Sequence, residues 1–490
     1  MKLETLIAPL GIHISQEDKS IEIKGLAFNS SKVEQNFIFV AIRGTLTDGH
    51  TFIEDAILNG ACVVIGEENL ISIGVPYIRV ANSRKALGLL ANIFYENPTQ
   101  NKIMIGITGT NGKTTTSYML KHILESVGIS CSLFGSVSTI INGIENESTH
   151  TTADAVTLNQ LLARCNDHVV IMEVSSHGLV QSRVEGLRFD YCIFTNLEHE
   201  HLDYHENMES YYLAKQSLFN YLKPHGIAVI NSDSSCGERL CTYVTSLNKE
   251  VIKINGKKPS YTVNDEELIS LKDPIQSYSL NSRMKGKHNL ENASLAFSTA
   301  ISLNIDPLNI ERSLENFSGV PGRFELFQHP AGATCIVDYA HTGNAFSHIL
   351  ETASLYNPQR IIHIFGFRGN RDVQKRKNMV QISLEKCHLC ILTFDDLNGV
   401  PSEQMIQDLY ALDPLNRCII IPDRTLAIQY AWEKAKNNDF IVITGKGIEN
   451  YQQSFSLPTA SDIHTLNYLN DSFVFQNETL NQYDHPRSLY

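Results

Sequence analysis

The stretch GITGTNGKTTTSY, residues 106–118, comes directly after the apolar segment NKIM and leads into the helical pattern MLKHILESV. A Walker A phosphate-binding loop requires a glycine five positions before the Gly of its Gly-Lys pair, and Ile107 occupies that position here. The physical requirements of such a loop are still met, because an apolar strand is predicted to end at Thr108 and a helix to begin near Lys113. This arrangement predicts an α/β domain with a nucleotide at the helix N-terminus.

Four residues of the loop have the chemistry that a phosphate group needs. Gly109 and Gly112 allow backbone N–H groups to face an anion, and the helix N-terminus adds free N–H groups and the positive end of its dipole. Lys113 can reach the terminal phosphates, and the Thr114 hydroxyl can ligate magnesium. A Gly-Lys-Thr triplet also occurs by chance, but its position between a strand and a helix favours a nucleotide site.

The composition is that of a soluble globular protein. A length of 490 residues predicts two to four domains, and the net charge of −13 argues against a generic binder of nucleic acid or anionic membranes. The sequence contains no apolar run near the ~20 residues that span a bilayer and no secretory signal. We therefore expect a cytoplasmic protein without membrane insertion. Cys387 and Cys390, in CHLC, are expected to be buried thiols rather than metal ligands or a disulfide.

The apolar pattern divides the chain into three α/β units. Residues 1–98 alternate short apolar runs with polar turns and close on the helical pattern SRKALGLLANIFYENP. Residues 99–327 begin with the strand KIMIGIT and the loop, and their Lys-, Ser- and Asn-rich stretch at 247–285 is expected to pack poorly. In residues 328–490 apolar strands alternate with helical segments, which predicts a parallel sheet with right-handed crossovers.

The strands of the third unit end in charged segments. In open α/β sheets ligands bind beyond the carboxyl ends of the strands, so these segments are expected to gather at one edge of the sheet. Separate solvated loops are the alternative, and the number of charges at strand ends argues against it. The charged residues concerned are Asp338, His341, Arg368, Arg371, Asp372, Asp395, Asp396, Lys446 and Glu449.

Three features of the second unit are candidates to complete a nucleotide site. Glu173 ends the apolar strand VVIMEV and is a candidate metal ligand. The segment NLEHEHLDYH, residues 196–205, follows another strand, lacks the HExxH spacing of zinc proteases and could equally be a solvated turn. Lys215 lies in the apolar and aromatic helical pattern YYLAKQSLFNYL, where a lysine whose head group reaches solvent is the alternative.

Together these residues resemble the Mur ligases. The most specific segment is MEVSSHG to AKQSLF, residues 172–219, and GTNGKTTT, KGKHNLENASLA, GVPGRFE, VDYAHTGNA and TGKGIENYQ also match. Within the family the sequence is most similar to the MurE subgroup, whose members add the third residue of the peptidoglycan stem. The resemblance covers nearly the whole chain. It implies a small N-terminal UDP-substrate domain, a central P-loop ATPase domain with a mostly parallel sheet, and a C-terminal Rossmann-like domain that binds an amino acid.

The resemblance also implies the reaction, that of an ATP-dependent carbon–nitrogen ligase of the acid–amino acid type. A carboxylate of UDP-N-acetylmuramoyl-L-alanyl-D-glutamate attacks the γ-phosphate of ATP, and an incoming amino acid displaces phosphate from the acyl phosphate. Mg²⁺ is the implied metal, and Lys215 matches the family's carbamylated lysine, whose carbamate is an anionic ligand. The implied partners are small-molecule substrates, and the implied protein is a monomer that serves cell-wall synthesis, cell shape and cell division.

Individual roles follow from the same resemblance. The residues matched to ATP binding are Gly109, Thr110, Asn111, Gly112, Lys113, Thr114, Thr115, Asn289, Asn292, Arg323, Asp338 and His341. Those matched to the UDP substrate are Ser30, Thr151, Thr152, Ser175, Ser176, Gln181 and Arg183. Those matched to the amino acid are Arg371, Asp396, Asn398, Gly445 and Glu449. The matched metal ligands are Thr114, Glu173, His201 and Lys215, and the implied catalytic residues are Lys113, Lys215 and His201.

The sequence departs from the family pattern mainly in the third domain. Diaminopimelate-specific members carry a DNPR motif, and the corresponding stretch here is DDLNG, with Asn398 in place of the Arg. Loss of that Arg removes a charge-assisted contact worth roughly 1.5–3 kcal/mol, which disfavours diaminopimelate. Ile448 replaces the His of GKGHE, and Arg368 replaces the second Gly of FGxGG, from where it could restore a carboxylate contact. The added acids could instead suit a cationic side chain such as lysine, or the loop could simply have drifted.

Three alternatives to a MurE-type ligase follow. A paralogue would use the same ligase chemistry on a different acyl or amino-acid substrate; the departures favour it, and the retained substrate residues oppose it. A non-catalytic binding protein would not need Lys113, Glu173 and Lys215 together. A motor-type P-loop NTPase would need neither the third domain nor Lys215.

Overall fold

The structure of the protein is a computed structural model. It describes residues 1–44, 47–71, 73–148, 150–264, 267–271, 276–280, 284–370 and 373–483. Arg371 and Asp372, two of the charged residues expected at the edge of the third sheet, lie outside these ranges. Within the described chain, no helix is both long enough and apolar enough to cross a membrane.

The first domain is a parallel sheet with helices packed against it. Its helices and strands are α1 Leu3–Ile7, β1 Gly25–Ala27, β2 Phe37–Val40, α2 Ile53–Leu58, β3 Ala61–Gly66, β4 Tyr77–Arg79 and α3 Ser83–Phe94. The strands pair in the order β1-β2-β3-β4, and every pair is parallel. In α3 the residues Leu87, Leu90 and Ala91 are buried, as expected for the apolar stripe of an amphipathic helix.

The second domain is the largest of the three and begins with the strand that precedes the glycine loop. Its elements are β5 Ile103–Thr108, α4 Lys113–Ser126, β6 Cys131–Phe134, β7 Ser138–Ile141, β8 Ile144–Glu147, α5 Ala155–Arg164, β9 Val169–Glu173, α6 Ser176–Val180, β10 Phe189–Phe194, α7 Leu202–His205, α8 Met208–Gln216, β11 Leu222–Asn231, α9 Ser235–Ser246, β12 Glu250–Ile254, β13 Tyr261–Asn264, β14 Glu267–Ser270, β15 Gln276–Ser279, α10 Lys287–Ser302 and α11 Pro307–Glu315.

The described strands of this domain form one sheet of order β15-β14-β13-β12-β11-β10-β5-β9-β6-β7-β8. The central strands from β12 to β6 are parallel, and antiparallel hairpins extend both edges. The expectation that residues 247–285 pack poorly is wrong for the described part of that stretch. It supplies strands β12 to β15, and Tyr261, Leu268 and Leu280 are buried. Strands β13 to β15 carry at most two apolar residues each, so their alternation is hard to see among the Lys, Ser and Asn.

The third domain has a second doubly wound sheet. Its elements are β16 Glu325–Gln328, β17 Thr334–Asp338, α12 Gly343–Ser354, β18 Arg360–Phe367, α13 Gln374–Lys386, β19 Leu389–Phe394, α14 Ser402–Leu412, β20 Ile419–Ile420, α15 Arg424–Lys434, β21 Asp439–Thr444 and α16 Asp462–Tyr483. The order is β16-β17-β21-β18-β19-β20, with only the β16–β17 pair antiparallel among the described strands. Because β16 pairs with β17, this sheet begins at Glu325, just before the expected boundary at 327.

The apolar residues of the second and third domains meet. One continuous cluster of buried side chains runs from Ile105 and Leu120 in the second domain to Phe346 and Phe365 in the third. All ten cysteines are free thiols, Cys390 buried among them and Cys387 half-buried. The second and third domains are thus held against each other by apolar packing.

A buried histidine makes the third domain sensitive to acid. His363 on β18 is fully buried, and burial lowers its pKa to about 3. In the unfolded chain this imidazole takes up its proton near pH 6.5. Between about pH 6.5 and pH 3 the unfolded state therefore binds more protons, so the free energy of unfolding decreases as the pH falls through that window.

We expect the His363→Asn variant to lose less stability between pH 7 and pH 4.5 than the wild type, by about 2 kcal/mol. Urea unfolding of the third domain can be followed by the fluorescence of Trp432, the single tryptophan. His168→Asn, at an exposed position of the second domain, is the control and should unfold like the wild type. Equal pH dependence of the wild type and His363→Asn would contradict this account.

Candidate active site

Three neighbouring parallel strands bring the candidate residues to one edge of the second sheet. In the register, Ile107 on β5 pairs with Glu173 on β9, and Thr108 pairs with Phe194 on β10. The glycine loop, Glu173 and the segment 196–205 therefore begin side by side, as ligand-binding segments do at the carboxyl ends of parallel strands.

The two loop glycines are required by close contacts as well as by backbone conformation. Gly109 has φ 153° and Gly112 has φ 84°. A Cβ atom on Gly109 would lie 1.8 Å from Thr195 Oγ1, and one on Gly112 would lie 2.2 Å from Asn292 Oδ1. Both residues let the loop backbone pass close to its neighbours, and α4 then begins at Lys113 as the sequence predicted.

Gly112→Ala is expected to destabilise the protein more than Gly128→Ala. Gly128 has almost the same φ, 80°, but a Cβ there would meet nothing within 4 Å. Alanine at either position incurs left-handed strain of about 1–2 kcal/mol, and only at Gly112 is overpacking of about 1–3 kcal/mol added. Thermal unfolding followed by circular dichroism measures both. Equal losses in the two variants would show that the contact with Asn292 relaxes freely.

Two lysines converge on the loop. Lys113 Nζ donates to the carbonyl oxygens of Gly109 at 2.9 Å and Thr110 at 2.8 Å. Lys215 Nζ, from α8, donates to the same Gly109 oxygen at 2.7 Å and lies 4.5 Å from the centroid of the Tyr211 ring. Only 2% of Lys215 is exposed. The alternative of a lysine whose head group reaches solvent is therefore wrong.

The electrostatic environment of Lys215 favours its neutral form. Burial lowers the pKa of the Lys215 amine well below its usual value, and the nearby charge of Lys113 lowers it further. Desolvation also lowers the pKa of Lys113, with Glu173 and Glu200 acting in the opposite direction. A buried amine without its proton is a nucleophile, which an ordinary surface lysine is not at neutral pH.

Oxygen ligands lie at the start of α4. Thr114 Oγ1 donates to Glu173 Oε2 at 3.0 Å and lies 3.0 Å from Ser136 Oγ. The Ser136 backbone N–H donates to the other Glu173 oxygen at 3.1 Å. Glu173 is completely buried. A hydroxyl and a buried carboxylate at this distance are a suitable pair of ligands for a hard cation such as Mg²⁺.

The segment 196–205 packs directly on the loop. The backbone N–H groups of Thr110 and Asn111 donate to the backbone and side-chain oxygens of Asn196, each at 2.9 Å. Asn111 Nδ2 donates to Glu198 Oε2 at 2.9 Å, and the Glu198 N–H donates to Thr110 Oγ1 at 2.9 Å. The alternative of a solvated turn is therefore wrong, since this segment braces the loop.

Glu200 and His201 face the third domain. His341 Nε2 lies 2.9 Å from Glu200 Oε1, and His201 Nε2 lies 3.8 Å from Glu200 Oε2. Burial alone would raise the pKa of Glu200, but the hydrogen bond with His341 and nearby positive charge hold it below its usual range. Burial lowers the pKa of His201 to about 4, so its imidazole is neutral near pH 7 and can act as a ligand.

A cavity of about 530 Å³ lies between the second and third domains, above the loop. Asn289 and Asn292 are almost fully buried in α10; Asn289 Nδ2 donates to the Lys285 carbonyl at 2.8 Å, and Thr116 Oγ1 donates to Asn292 Oδ1. Arg323 lies over the Tyr339 ring, 4.3 Å from its centroid. The predicted ATP-binding and metal residues that line this cavity are Thr110, Asn111, Gly112, Lys113, Thr114, Thr115, Glu173, His201, Asn289, Asn292, Arg323, Asp338 and His341.

A second cavity, of about 510 Å³, adjoins the first and reaches the third domain. The two cavities share Glu200, His201, Tyr339 and His341 among their lining residues. Beyond these, the second cavity is lined by residues that follow β17, β18 and β19, including Arg368 and Asp395. The place where the cavities meet is therefore where a group activated on one side could react with a group bound on the other.

A third cavity, of about 540 Å³, separates the first and second domains. Of the residues matched to the UDP substrate, Ser30, Gln181 and Arg183 line it. Gln181 Oε1 accepts from Arg183 Nη2 at 2.8 Å, which orients the guanidinium. Thr151 instead lines the first cavity.

The cavity linings do not include Thr152, Ser175 and Ser176. Thr152 Oγ1 donates to the Glu173 carbonyl at 3.0 Å, and Ser175 Oγ accepts from the Gly178 N–H at the start of α6. Ser176 Oγ lies 2.9 Å from His205 Nε2. In the described structure the hydroxyls of these three residues serve local structure next to the metal-ligand candidates.

The residues matched to the amino acid are only partly brought together. Gly445 and Glu449 both contact Arg368, while Arg371 lies outside the described residues. Asp396 is buried and lies 2.7 Å from Lys446 Nζ. Asn398 turns its side chain to the Gly369 carbonyl at 3.1 Å. Neither of these last two lines the second cavity: Asp396 is buried against Lys446, and Asn398 is exposed beyond the end of β19.

Several residues in or near the three cavities are not among those predicted from the sequence. Glu200 was noted only as one of the acids of segment 196–205, and its contact with His341 spans two domains. Tyr211, whose hydroxyl lies 3.1 Å from Thr110 Oγ1, looked like an ordinary core aromatic. Arg84 lines the third cavity from α3. Nothing local distinguishes Tyr211 or Arg84, so only tertiary contacts could identify them.

Comparison with known proteins points in one direction. Residues 22–95 match the family model described as "Mur ligase family, catalytic domain", residues 107–300 the "Mur ligase middle domain", and residues 322–447 the "Mur ligase, glutamate ligase domain". The UDP-N-acetylmuramoyl-L-alanyl-D-glutamate–2,6-diaminopimelate ligase of Clostridium tetani is 35% identical over 474 residues, which is 92% of this chain and 95% of the relative. The protein of that name from Fusobacterium nucleatum is 36% identical over 435 residues, 87% of this chain and 89% of the relative.

Solved structures agree with these matches. A structure of a UDP-N-acetylmuramoyl-L-alanyl-D-glutamate–2,6-diaminopimelate ligase superimposes with a TM-score of 0.68 at 27% identity, covering 97% of this chain and all of the other. The MurF ligase of Thermotoga maritima in complex with ADP gives a TM-score of 0.58 over 86% of this chain and 93% of the other. At 17% identity the second likeness concerns the fold alone.

Proposed function

The chain belongs to the Mur ligase family, and from this premise we propose that it is an ATP-dependent carbon–nitrogen ligase that joins an amino acid to UDP-N-acetylmuramoyl-L-alanyl-D-glutamate. The observation that carries the proposal is the meeting of two cavities at Glu200, His201 and His341, directly beside the two loop lysines. Such a junction suits a reaction in which one cavity activates a carboxylate and the other presents an amine.

The proposed reaction has two chemical steps. The substrate carboxylate attacks the γ-phosphate of ATP, which yields an acyl phosphate and ADP. The amine of the incoming amino acid then attacks the acyl carbon and expels phosphate, which leaves an amide. Lys113 and the loop N–H groups neutralise charge on the transferring phosphoryl group, and the rest of the site contributes mainly by positioning.

The oxygen-rich end of α4 fits Mg²⁺, as the hydrogen-bonded pair of Thr114 and the buried Glu173 indicates. Thr114, Glu173 and the carbamate of Lys215 would hold the metal, with His201 as a further ligand. When bound, the metal neutralises negative charge on the phosphates. The donor set favours a hard cation because oxygen atoms predominate in it.

We include carbamylation of Lys215 in the proposal. The neutral amine can attack CO₂ and release a proton, which converts the residue into an anion. Two observations support this step: Lys215 is buried beside the loop, and its pKa is lowered by that burial. A permanently cationic Lys215 would place a second positive charge close to Lys113, whereas the carbamate supplies the negative charge that a metal ligand requires.

A second candidate function is a paralogous ligase that uses the same chemistry on a different acyl or amino-acid substrate. The observation in its favour is that Asp396 and Asn398, the residues at the diaminopimelate motif, do not line the second cavity. It shares the ligase chemistry and differs only in the substrate. In either case the reaction requires only small-molecule partners, and we propose that the enzyme acts as a cytoplasmic monomer in the synthesis of peptidoglycan precursors, which supports cell shape and cell division.

The decisive experiment measures phosphate release and the product mass with ATP, Mg²⁺ and UDP-muramoyl-dipeptide while amino acids are supplied one at a time. We expect amino-acid-dependent release of phosphate and a product heavier by one residue. Omission of the UDP substrate is the control and should abolish release. Turnover with another acyl donor but not with UDP-muramoyl-dipeptide would favour the paralogue, and no turnover with any amino acid would refute a ligase of this type.

A further inference from the structure

Arg368, at the carboxyl end of β18, lines the second cavity. Its Nη2 is hydrogen-bonded to the Glu449 carboxylate and lies 3.4 Å from the Gly445 carbonyl oxygen. Its Nε lies 3.6 Å from Asp395 Oδ2, and the guanidinium is 5.7 Å from the centroid of the Tyr339 ring. One internal cation thus engages three acceptor groups at the wall of the cavity.

The neighbouring carboxylates are neutralised in the same way. Lys446 Nζ lies 2.7 Å from Asp396 Oδ1 and 3.5 Å from Asp395 Oδ1, and only 1% of Lys446 is exposed. The three carboxylates of Asp395, Asp396 and Glu449 therefore face two internal cations, Arg368 and Lys446. The acids of the DDLNG stretch, which from sequence alone could suit a cationic substrate, are already paired within the protein.

Arg368 also separates two of its acceptors from the cavity. Asp395 lines the cavity with Arg368, and Gly445 and Glu449 do not. A ligand in this cavity that presents an ammonium group meets the guanidinium of Arg368 before it reaches Glu449. The positive charge of Arg368 is permanent, because burial lowers its pKa but Tyr339, Asp395 and Glu449 outweigh that effect and raise it.

We propose that Arg368 is a specificity-determining residue that takes the place of a substrate cation, so that the incoming amino acid carries a neutral side chain. This inference rests on the ligase activity proposed above. An amino acid with a second ammonium group meets the fixed charge of Arg368, and the carboxylates of this cluster are paired. An acidic side chain has to compete with Glu449 and Asp395 for the guanidinium. A small neutral side chain, such as that of alanine, requires neither rearrangement.

The test compares the wild type with Arg368→Gly in the ligation assay, with alanine, lysine, diaminopimelate and glutamate supplied singly. The wild type should use alanine with a kcat/KM at least 10-fold higher than that for each of the other three. In Arg368→Gly the acceptors Glu449, Asp395 and Gly445 lose the guanidinium and become accessible from the cavity. The KM for lysine should therefore fall at least 10-fold. The KM for ATP should stay unchanged, a separation that a general structural defect would not produce.

Two further variants complete the design. Arg368→Lys keeps a cation at this position and should keep the wild-type preference for alanine. If Arg368→Gly does not fold, the amino-acid preferences of the wild type and of Arg368→Lys still test the proposal. Arg239→Ala removes an exposed arginine paired with Glu209 and should change no kinetic constant.

The outcomes separate this inference from the function on which it rests. Wild-type preference for lysine, diaminopimelate or glutamate overturns the role of Arg368 while the ligase proposal stands. An unchanged KM for lysine in a folded Arg368→Gly variant does the same, and so does a fall in the KM for lysine in Arg368→Lys. Failure of every amino acid to give product or phosphate overturns the ligase proposal and this inference with it.

Discussion

Replacement of Lys215 by alanine is expected to reduce amide formation by at least about 10³-fold. The variant loses a buried amine that lies beside the loop and next to Lys113, and with it the anionic ligand that its carbamate would supply. ADP binding should change much less, because the loop N–H groups and Lys113 remain. Rates of phosphate release at saturating ATP, with calorimetric ADP binding on the same samples, measure both quantities.

The matched control for Lys215 is Lys253→Ala. Lys253 lies on β12 of the same domain and pairs with Glu238 at 2.9 Å, away from the three cavities. A surface ion pair of this kind contributes about 0–1 kcal/mol, so the control should retain wild-type turnover. Full activity of Lys215→Ala would remove this residue from the mechanism and leave its burial without a catalytic explanation.

Lys113→Ala is the second change with a very large expected effect. We propose that Lys113 contacts the terminal phosphates, so its removal would delete a positive charge where negative charge moves during phosphoryl transfer. We expect kcat to fall by about 10²–10³-fold and the affinity for ATP to fall as well. Steady-state phosphate release across a range of ATP concentrations separates the two effects.

The control for Lys113 lies on the same helix. Lys121, about two turns later in α4, forms an ion pair with Glu125, with 2.5 Å between Nζ and Oε1. Its replacement by alanine removes the pair, worth about 0.2–0.5 kcal/mol, without removing charge from the nucleotide cavity. If Lys113→Ala and Lys121→Ala gave similar rates, the loop would not be binding the transferred phosphoryl group.

Much of the fold could be predicted from local pattern. The strand before the glycine loop, the helix that begins at Lys113 and the alternation of strands and helices in the third domain all follow from apolar periodicity. The mistaken expectation for residues 247–285 shows the limit of that method, because the strands β13 to β15 are short and carry at most two apolar residues each. Their burial comes from neighbours that the local sequence does not reveal.

The candidate site also has one part that the local sequence predicts and another part that it does not. Gly109, Gly112, Lys113, Thr114 and Glu173 could be identified because each lies at a strand end or helix start, positions that the chain's own periodicity marks. The contact of Glu200 with His341 could not, since its two partners belong to different domains.

Apolar periodicity predicts which chemical groups lie at the end of each strand, and with them the glycine loop, while the resemblance to the Mur ligases implies the class of reaction. Only the tertiary structure decided which of those groups meet. From the sequence, Asp396 and Arg368 are both free to bind a substrate. In the structure Lys446 Nζ lies 2.7 Å from Asp396, and Glu449 and Asp395 lie beside Arg368. The physical reason is that the strength of a charge pair depends on distance and burial, and neither quantity is a property of the local sequence.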